Sequence, residues 1–206
     1  MSLRALHLLG SPVLRRRAAE VGAVDGEVRA FIQDLFDTMR ACKGVGLAAN
    51  QVGALTRVCV VETDEQHSYA LVNPVVVERD TATLKDEEGC LSIPDIYADV
   101  ERSARVVVEA LDAEGRPQRI EGTGLLARAL QHEFDHLDGI LFLDRVGPIK
   151  RRFLLRDWEK KRKGAKGYLK EVRPAAEPAQ TAQTAQTVET AEAAEPAGTV
   201  GDAPKA

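Results

Sequence analysis

The feature that most constrains this chain is a pair of histidines four residues apart within an apolar stretch. The sequence reads His132-Glu133-Phe134-Asp135-His136, and leucines flank it on both sides. On an α-helix, residues i and i+4 lie one turn apart on the same face, so both imidazoles can bind one metal ion. Buried histidines usually have a polar partner. We therefore predict a core helix that starts at Thr123 as its N-cap, ends at Asp138 before Gly139, and carries two metal ligands.

Glu133 lies next to the two histidines in this pattern. A metal ion lowers the pKa of its bound water towards neutrality, and a neighbouring carboxylate can then accept and return the proton during hydrolysis. The pentapeptide therefore favours a metal-dependent hydrolase in which Glu133 transfers the proton. The alternative is a surface helix on which the two histidines are spaced this way by chance.

A catalytic metal of this kind needs a third protein ligand and one open position. The metzincin pattern continues His-x-x-Gly-x-x-His, but its last position here is Phe142, which cannot ligate. Thermolysin-like enzymes take a glutamate further downstream, where this chain has Glu159. That residue lies in the charged run 156–163, in which an ion pair with a neighbouring lysine is the alternative. Neither pattern therefore supplies a clear third ligand.

Cys90 is another candidate for the third ligand. The chain has three cysteines, an odd number, which argues against a disulfide framework and for free thiols or a metal ligand. Cys90 follows Gly89 and shortly precedes Pro94, as in a fixed loop. One cysteine with two histidines is a known catalytic ligand set. A buried structural cysteine is the alternative here, and it is the preferred interpretation for Cys42 and Cys59.

A glycine-containing segment, residues 44–53, is the third candidate element of the site, after the histidine pair and Cys90. It reads Gly44-Val45-Gly46-Leu47-Ala48-Ala49-Asn50-Gln51-Val52-Gly53. Its glycines let the backbone approach a ligand closely, and the Gln51 amide can donate a hydrogen bond to an oxyanion. A phosphate-binding loop is disfavoured because no Lys-Ser/Thr pair follows. A plain tight turn is the alternative.

Three segments taken together resemble the signature motifs of the peptide deformylases. They are residues 44–51, Glu88-Gly89-Cys90-Leu91-Ser92 and residues 131–139, and their order and intervals match as well. The resemblance extends over residues 3–165. It implies an α+β fold with antiparallel β-sheets around the central helix. It also implies removal of the formyl group from the initiator formylmethionine of new polypeptides, with release of formate.

The resemblance implies a role for each site residue. Cys90, His132 and His136 would bind one Fe²⁺ per chain, for which Zn²⁺, Ni²⁺ or Co²⁺ can substitute. Glu133 would transfer the proton, while the Gln51 side chain and the backbone N–H of Leu91 would meet the oxyanion. The residues expected to contact the substrate are Val45, Gly46, Gly89, Leu125 and Ala129.

This chain departs from the family pattern near the substrate. Many members carry apolar residues one turn before the first histidine, where this chain has Arg128 and Ala129. Helix geometry places Leu125, Ala129 and His132 on one face, so we expect Ala129 to widen the pocket for methionine and Arg128 to point elsewhere. Tyr97 stands where many relatives have an arginine near the peptide backbone. Substrate affinity is therefore harder to predict than the chemistry.

The remaining sequence fits an α+β fold. Apolar residues at helical spacing predict a helix over 25–43, capped by Asp25 and ended by Gly44. Asp112-Ala113-Glu114-Gly115 predicts a hairpin turn, and so an antiparallel pair. The runs that predict strands are 57–61, 70–72, 75–77, 105–111 and 117–120.

Charge divides the chain into three parts. We expect a catalytic domain at 1–149, a basic C-terminal helix at 150–173 with 11 basic and 3 acidic residues, and a disordered, alanine-rich tail at 174–206. For the basic segment 150–170 we predict a sequence-independent contact with ribosomal RNA, with a solvated helix face as the alternative.

The expected location of the protein follows from two features that the sequence lacks. No apolar run is long enough to span a bilayer, and the N-terminus has no export-signal pattern, so we expect a cytoplasmic protein without membrane contact. The family resemblance implies N-formylmethionyl nascent polypeptides as partners, and the sequence contains no motif for sequence-specific nucleic-acid binding. The competing hypotheses are a zinc endopeptidase that uses Glu159 and a binding or regulatory module that retains a structural metal, which would need a fourth ligand.

Overall fold

Helices and strands are interspersed along the whole of residues 2–174, the part of the chain that the computed structural model describes. The predicted tail at 174–206 lies outside this part, except for its first residue. The α-helices of residues 2–174 are α1 (Gly26–Ala41), α2 (Gly124–Leu137) and α3 (Pro148–Lys161). The strands are β1 (Leu6–His7), β2 (Gly46–Ala48), β3 (Val58–Asp64), β4 (His67–Arg79), β5 (Thr83–Cys90), β6 (Ile93–Ser103), β7 (Arg105–Leu111), β8 (Pro117–Thr123) and β9 (Leu169–Lys170).

The strands form three antiparallel sheets. The largest has the order β2-β3-β4-β7-β8, β5 pairs with β6, and β1 pairs with β9. The predicted hairpin is confirmed as β7 and β8, which pair from Arg105 opposite Thr123 to Leu111 opposite Pro117. The predicted α+β class with antiparallel sheets is therefore confirmed.

One strand replaces two predicted ones in the middle of the large sheet. The runs 70–72 and 75–77 both belong to β4, whose register against β7 shifts between Val72 and Val75. Asn73 there has a positive φ of 52°, and Pro74 cannot donate to the ladder. The irregularity that suggested a break is therefore a bulge within a continuous strand.

The first helix, α1, is amphipathic, as its apolar spacing predicts. The Asp25 side chain accepts a hydrogen bond from the Val28 N–H at 2.9 Å and caps the helix start. At the other end the predicted glycine stop is wrong, because Lys43, not Gly44, has the left-handed conformation (φ 55°). The Gly44 N–H instead donates to the Met39 carbonyl at 3.0 Å, which closes the last turn.

The central helix, α2, is buried over nearly its whole length. Its residues from Leu126 to Leu137 are all buried, and it packs mainly on β2, β3 and β8. Thr123 occupies the N-cap position, but its side chain makes no capping hydrogen bond. Gly139 has a φ of 76° after the helix end, and a side chain there would lie 2.7 Å from the Arg15 carbonyl oxygen. Tertiary packing therefore determines where this helix lies.

The β5-β6 hairpin is an element that the sequence patterns did not predict. In β6 every second side chain from Ile96 is buried: Ile96, Ala98, Val100 and Arg102. This is the alternation of a half-buried strand, but the buried Arg102 and the polar sequence of β5 hide it. The hairpin packs on α2 through β6, and its first strand, β5, ends at Cys90.

The basic C-terminal helix of the sequence prediction is shorter than expected. It corresponds to α3, after which the chain turns into β9, and the Leu8 N–H donates to the Tyr168 carbonyl at 2.7 Å. Trp158 anchors α3 in the core formed with β6. Within residues 2–174 none of the helices is both long and apolar enough to cross a membrane.

Candidate metal centre and active site

Two elements bring the three predicted metal ligands together. His132 and His136 project from adjacent turns of α2, and Cys90 ends β5 just before the turn into β6. Their candidate ligand atoms all lie within 4.8 Å of one another, and Cys90 Sγ is 3.1 Å from His136 Nε2. Glu159 is exposed on α3 and is not part of this group. Phe142, excluded as a ligand, stacks on the His132 ring with centroids 6.3 Å apart.

The donor set suits a borderline divalent cation. A thiolate sulfur with two imidazole nitrogens is a ligand set for Zn²⁺, Fe²⁺ and their neighbours rather than for Mg²⁺ or Ca²⁺. Glu133 lines the same cleft as Cys90 and His132. Its Oε2 is buried and has no hydrogen-bond partner among residues 2–174. No fourth ligand joins the three in that part of the chain. The group therefore matches an open, catalytic site better than a closed, structural one.

Glu88 fixes the orientation of His132. Its Oε2 lies 3.0 Å from His132 Nδ1, so Nε2 is the nitrogen left to face a metal. Burial opposes ionisation of Glu88, but its bonds to Arg102 and His132 outweigh burial and hold the pKa of this carboxyl well below its usual range. Burial would lower the pKa of His132, yet the neighbouring Cys90 and the contact between its ring and Glu88 raise it.

Arg102 joins two buried carboxylates behind the ligands. It donates to both Glu88 oxygens, at 2.9 and 3.0 Å, and to Asp135 Oδ2 at 2.6 Å. Asp135 also accepts from Arg145 Nε at 3.0 Å. The sequence patterns predicted no role for Arg102, Asp135 or Arg145. The only available signal was Asp135, an acidic residue between two histidines on a helix predicted to be buried.

Gln51 points its amide nitrogen at the candidate metal site. Its Oε1 accepts from the Ala48 N–H at 2.8 Å, which leaves Nε2 to face Cys90 Sγ at 3.5 Å and Ser92 Oγ at 3.2 Å. The side chain is almost fully buried. Its single donor group is therefore held in place beside the ligands, as a group that meets an oxyanion must be.

The Glu133 side chain fits into the site because Gly46 has no side chain. Burial raises the pKa of Glu133 to about 7, although the charge on His132 acts in the opposite direction. A Cβ on Gly46 would overlap Glu133 Oε1 and lie 2.8 Å from its Cδ. We expected the glycines of this segment to admit a ligand. For Gly46, the group admitted is the Glu133 carboxylate.

An open cleft of about 470 Å³ leads to these residues. Gln51, Cys90, His132 and Glu133 contribute to its wall, and so does Leu91 from the turn between β5 and β6. The residues expected to contact substrate all line this cleft: Val45, Gly46, Gly89, Leu125 and Ala129. Tyr97 also lines it and is 56% exposed. The cleft therefore gives solvent access to the buried ligand group.

Proteins that are similar to this chain in sequence and in fold include several peptide deformylases. A family model described as polypeptide deformylase matches residues 3–152. The peptide deformylase of Brucella suis biovar 1 is 44% identical over 164 residues, which make up 78% of this chain and 94% of that protein. The crystal structure of a peptide deformylase from Legionella pneumophila aligns with a TM-score of 0.75 and 40% identity over 79% of this chain and 96% of that one.

A second solved structure agrees with these findings. The peptide deformylase of Ehrlichia chaffeensis, crystallised in complex with actinonin, has a TM-score of 0.75 and 36% identity over 78% of this chain and 98% of its own. The matched region contains all three candidate ligands, Glu133 and Gln51. On the length of the family match and the identity to its relatives, the chain belongs to the polypeptide deformylase family.

Proposed function

We propose that this chain removes the N-formyl group from the initiator formylmethionine of newly made polypeptides and releases formate. The observation that carries the proposal is the group of Cys90, His132 and His136, of which Cys90 and His132 line an open cleft together with Glu133. The same group supports hydrolysis over a purely structural role, because three ligands leave a coordination position for a reactant.

Each residue of the site has a distinct task in this proposal. Cys90, His132 and His136 would hold a divalent cation, which when bound would supply Lewis-acid polarisation of the formyl carbonyl and a lowered pKa of the attacking water. Glu133 accepts the proton from that water and delivers it to the amine nitrogen as the C–N bond breaks. The Gln51 amide and the Leu91 N–H donate to the oxygen that becomes negative. The products are formate and the free amine of methionine.

We further propose one Fe²⁺ per chain as the physiological metal, with Zn²⁺, Ni²⁺ or Co²⁺ as substitutes. The donor set itself favours the whole group of borderline cations, so the family resemblance supplies the choice of iron. Metal analysis of protein purified without oxygen, combined with a formate assay on the same sample, tests this choice. Activity that follows zinc content and is unaffected by iron would contradict it.

The methionine side chain of the substrate is proposed to pack against the wall of the cleft formed by Leu125 and Ala129. Both residues line the cleft on the α2 side, and Leu125 is 53% exposed. Val45 and Gly89 line other parts of the same cleft. An apolar wall beside the ligands suits an unbranched thioether side chain.

The direct test is formate release from a formyl-Met peptide by iron-loaded protein. We expect turnover by the wild-type protein and none from the same peptide carrying an acetyl group, which is larger than formyl. A Glu133→Ala variant prepared in parallel sets the background. Release by the wild-type protein no faster than by this variant would remove the basis of the proposal.

Replacing Gly46 by alanine is expected to lower formate release about a hundredfold, because a catalytic group displaced by about 1 Å loses activity on this scale. The added methyl group must push the Glu133 carboxylate aside. Steady-state kinetics on the formyl-Met peptide provide the measurement. Gly22→Ala is the matched control, since a Cβ at Gly22 meets nothing within 4 Å. Equal activity of the two variants would contradict the steric argument.

The basic segment 150–170 is proposed to contact ribosomal RNA, which would place the protein in the cytoplasm where new polypeptides appear. Among residues 2–174, Arg152, Arg156 and Lys160 of α3 are exposed and form no ion pair. Lys150 and Lys161, by contrast, pair with Asp99 and Asp157. The unpaired cations are the ones available to phosphates.

Ribosome binding is best tested with charge variants rather than by truncation, because Trp158 of α3 lies in the core. Replacing Arg152, Arg156 and Lys160 by serine is expected to reduce cosedimentation with ribosomes at least about tenfold at low salt, and wild-type binding should weaken as salt rises. Serine at the exposed residues Arg29, Arg79 and Lys85 is the control. Equal binding by both triple variants would count against the contact.

A further inference from the structure

Arg128 is an unusual residue at the edge of the candidate active site. It lies one helical turn before His132 on α2, and only 8% of its surface is exposed. Its guanidinium group donates to Glu88 Oε1 at 2.7 Å and to two backbone carbonyls, Val100 at 2.9 Å and Leu84 at 2.9 Å. Arg128 also contributes to the cleft wall. An arginine can line a cavity with its methylene groups while its head binds elsewhere.

Glu88 is shared between Arg128 and the metal-binding side of the molecule. One of its oxygens, Oε1, accepts from Arg128 Nη1 and Arg102 Nε. The other, Oε2, faces Arg102 Nη2 and His132 Nδ1. A carboxylate has about four lone-pair sites, so these contacts fill them. Arg128 and His132, on consecutive turns of α2, therefore hold opposite oxygens of one buried carboxylate.

Arg102 alone does not balance the charges of this network. It lies between Glu88 and Asp135 and donates to both. Asp135 has a second cation, Arg145, on its other side. Arg128 is the corresponding second cation for Glu88, and within residues 2–174 it pairs with no other carboxylate. Without Arg128, two buried carboxylates would depend chiefly on one shared guanidinium, which would then be free to shift towards Asp135.

We propose that Arg128 is a positioning residue for the metal ligand His132 and acts through Glu88. Carboxylates that accept from the distal nitrogen of a ligating histidine fix its ring and influence metal affinity. Arg128 anchors that carboxylate to the backbones of β5 and β6 through Leu84 and Val100. The inference rests on the proposed metal site of Cys90, His132 and His136, but not on the identity of the substrate.

The test compares Co²⁺ binding by Arg128 variants, with affinity measured by chelator competition and ligand geometry by the visible absorption spectrum of the cobalt-loaded protein. We expect Arg128→Leu to bind Co²⁺ about tenfold more weakly, the lower end of the effect reported for partners of metal ligands, and to show a shifted spectrum. Arg128→Lys, which retains a cation that can reach Glu88, should recover most of the affinity. If Arg128→Leu does not fold, Arg128→Gln takes its place with the same expected result.

Arg57→Leu is the matched control. Arg57 is also largely buried and also donates to a carboxylate and a carbonyl, those of Asp138 and Pro74, but it contacts neither Glu88 nor a ligand. We expect this variant to keep the wild-type spectrum. Wild-type affinity and spectrum in Arg128→Leu, or the same changes in Arg57→Leu, would overturn the proposal.

The outcome for the wild-type protein separates this proposal from the proposed activity. Wild-type protein that binds Co²⁺ but releases no formate would refute the deformylase activity, while the comparison between Arg128 variants would still decide the role of Arg128. Wild-type protein that binds no Co²⁺ would refute the metal site and the positioning role together.

Discussion

Glu133→Gln is expected to reduce formate release about a thousandfold while the metal stays bound. Removing a positioned proton-transfer group typically costs a factor between about a hundred and about ten thousand. Glutamine has nearly the same shape as glutamate and so fits beside Gly46, but its amide cannot accept the proton from water. Turnover of a formyl-Met peptide and metal content per chain, measured on the same preparation, give the two quantities needed.

A second carboxylate on the cleft provides the control for Glu133. Glu87 also lines the cleft but is exposed, so Glu87→Gln should change turnover by less than about threefold, as expected for a surface charge. A Glu133→Gln protein within tenfold of wild type would exclude Glu133 as the proton carrier. Loss of metal from that variant would instead assign Glu133 to the ligand set.

Cys90→Ala is expected to weaken metal binding roughly a hundredfold or more and to abolish formate release. This size follows from the total free energy of metal sites in proteins, which amounts to a few kcal/mol per ligand. Within residues 2–174 the candidate group has three ligands, so the loss of Cys90 leaves two histidines on a single helix. Inductively coupled plasma analysis after dialysis, with formate release on the same protein, measures both effects.

Three further variants distinguish the thiol ligand from its rivals. Cys59→Ala and Cys42→Ala should keep the metal, because neither cysteine belongs to the ligand group: Cys59 is buried in the core and Cys42 is the residue after α1. Glu159→Ala should also keep it, since Glu159 is exposed on α3. Retention of the metal by Cys90→Ala together with its loss from Glu159→Ala would restore the endopeptidase hypothesis.

The sequence predicted those parts of the fold that are determined by residues close together in the chain. Helix α2 follows from apolar spacing and a terminal glycine, and the β7-β8 hairpin follows from its turn residues. The end of α1 was misjudged because Lys43 adopts a left-handed conformation that glycine usually takes. The β5-β6 hairpin was missed because its buried face includes Arg102, whose charge is neutralised by residues far away in sequence.

The same holds for the candidate site, where some residues could be predicted from local sequence and others could not. The spacing of His132 and His136 is visible within one helical turn, whereas Cys90 required the family resemblance to choose among several candidates. Glu88, Arg102 and Arg128 could not be paired from sequence, because each contact joins separate elements of the fold. A buried charge is stable only with its partners in place, and those partners are known only once the chain has folded.

The pairing of β1 with β9 bears on how the protein assembles during its own synthesis. These strands come from opposite ends of residues 2–174, and a ribosome releases the N-terminal end first. Strand β1 therefore lacks its partner strand, β9, until Leu169 and Lys170 have been translated. His136, the last of the three candidate ligands, is translated before β9, so the ligand group can be complete while β1 still lacks its partner strand.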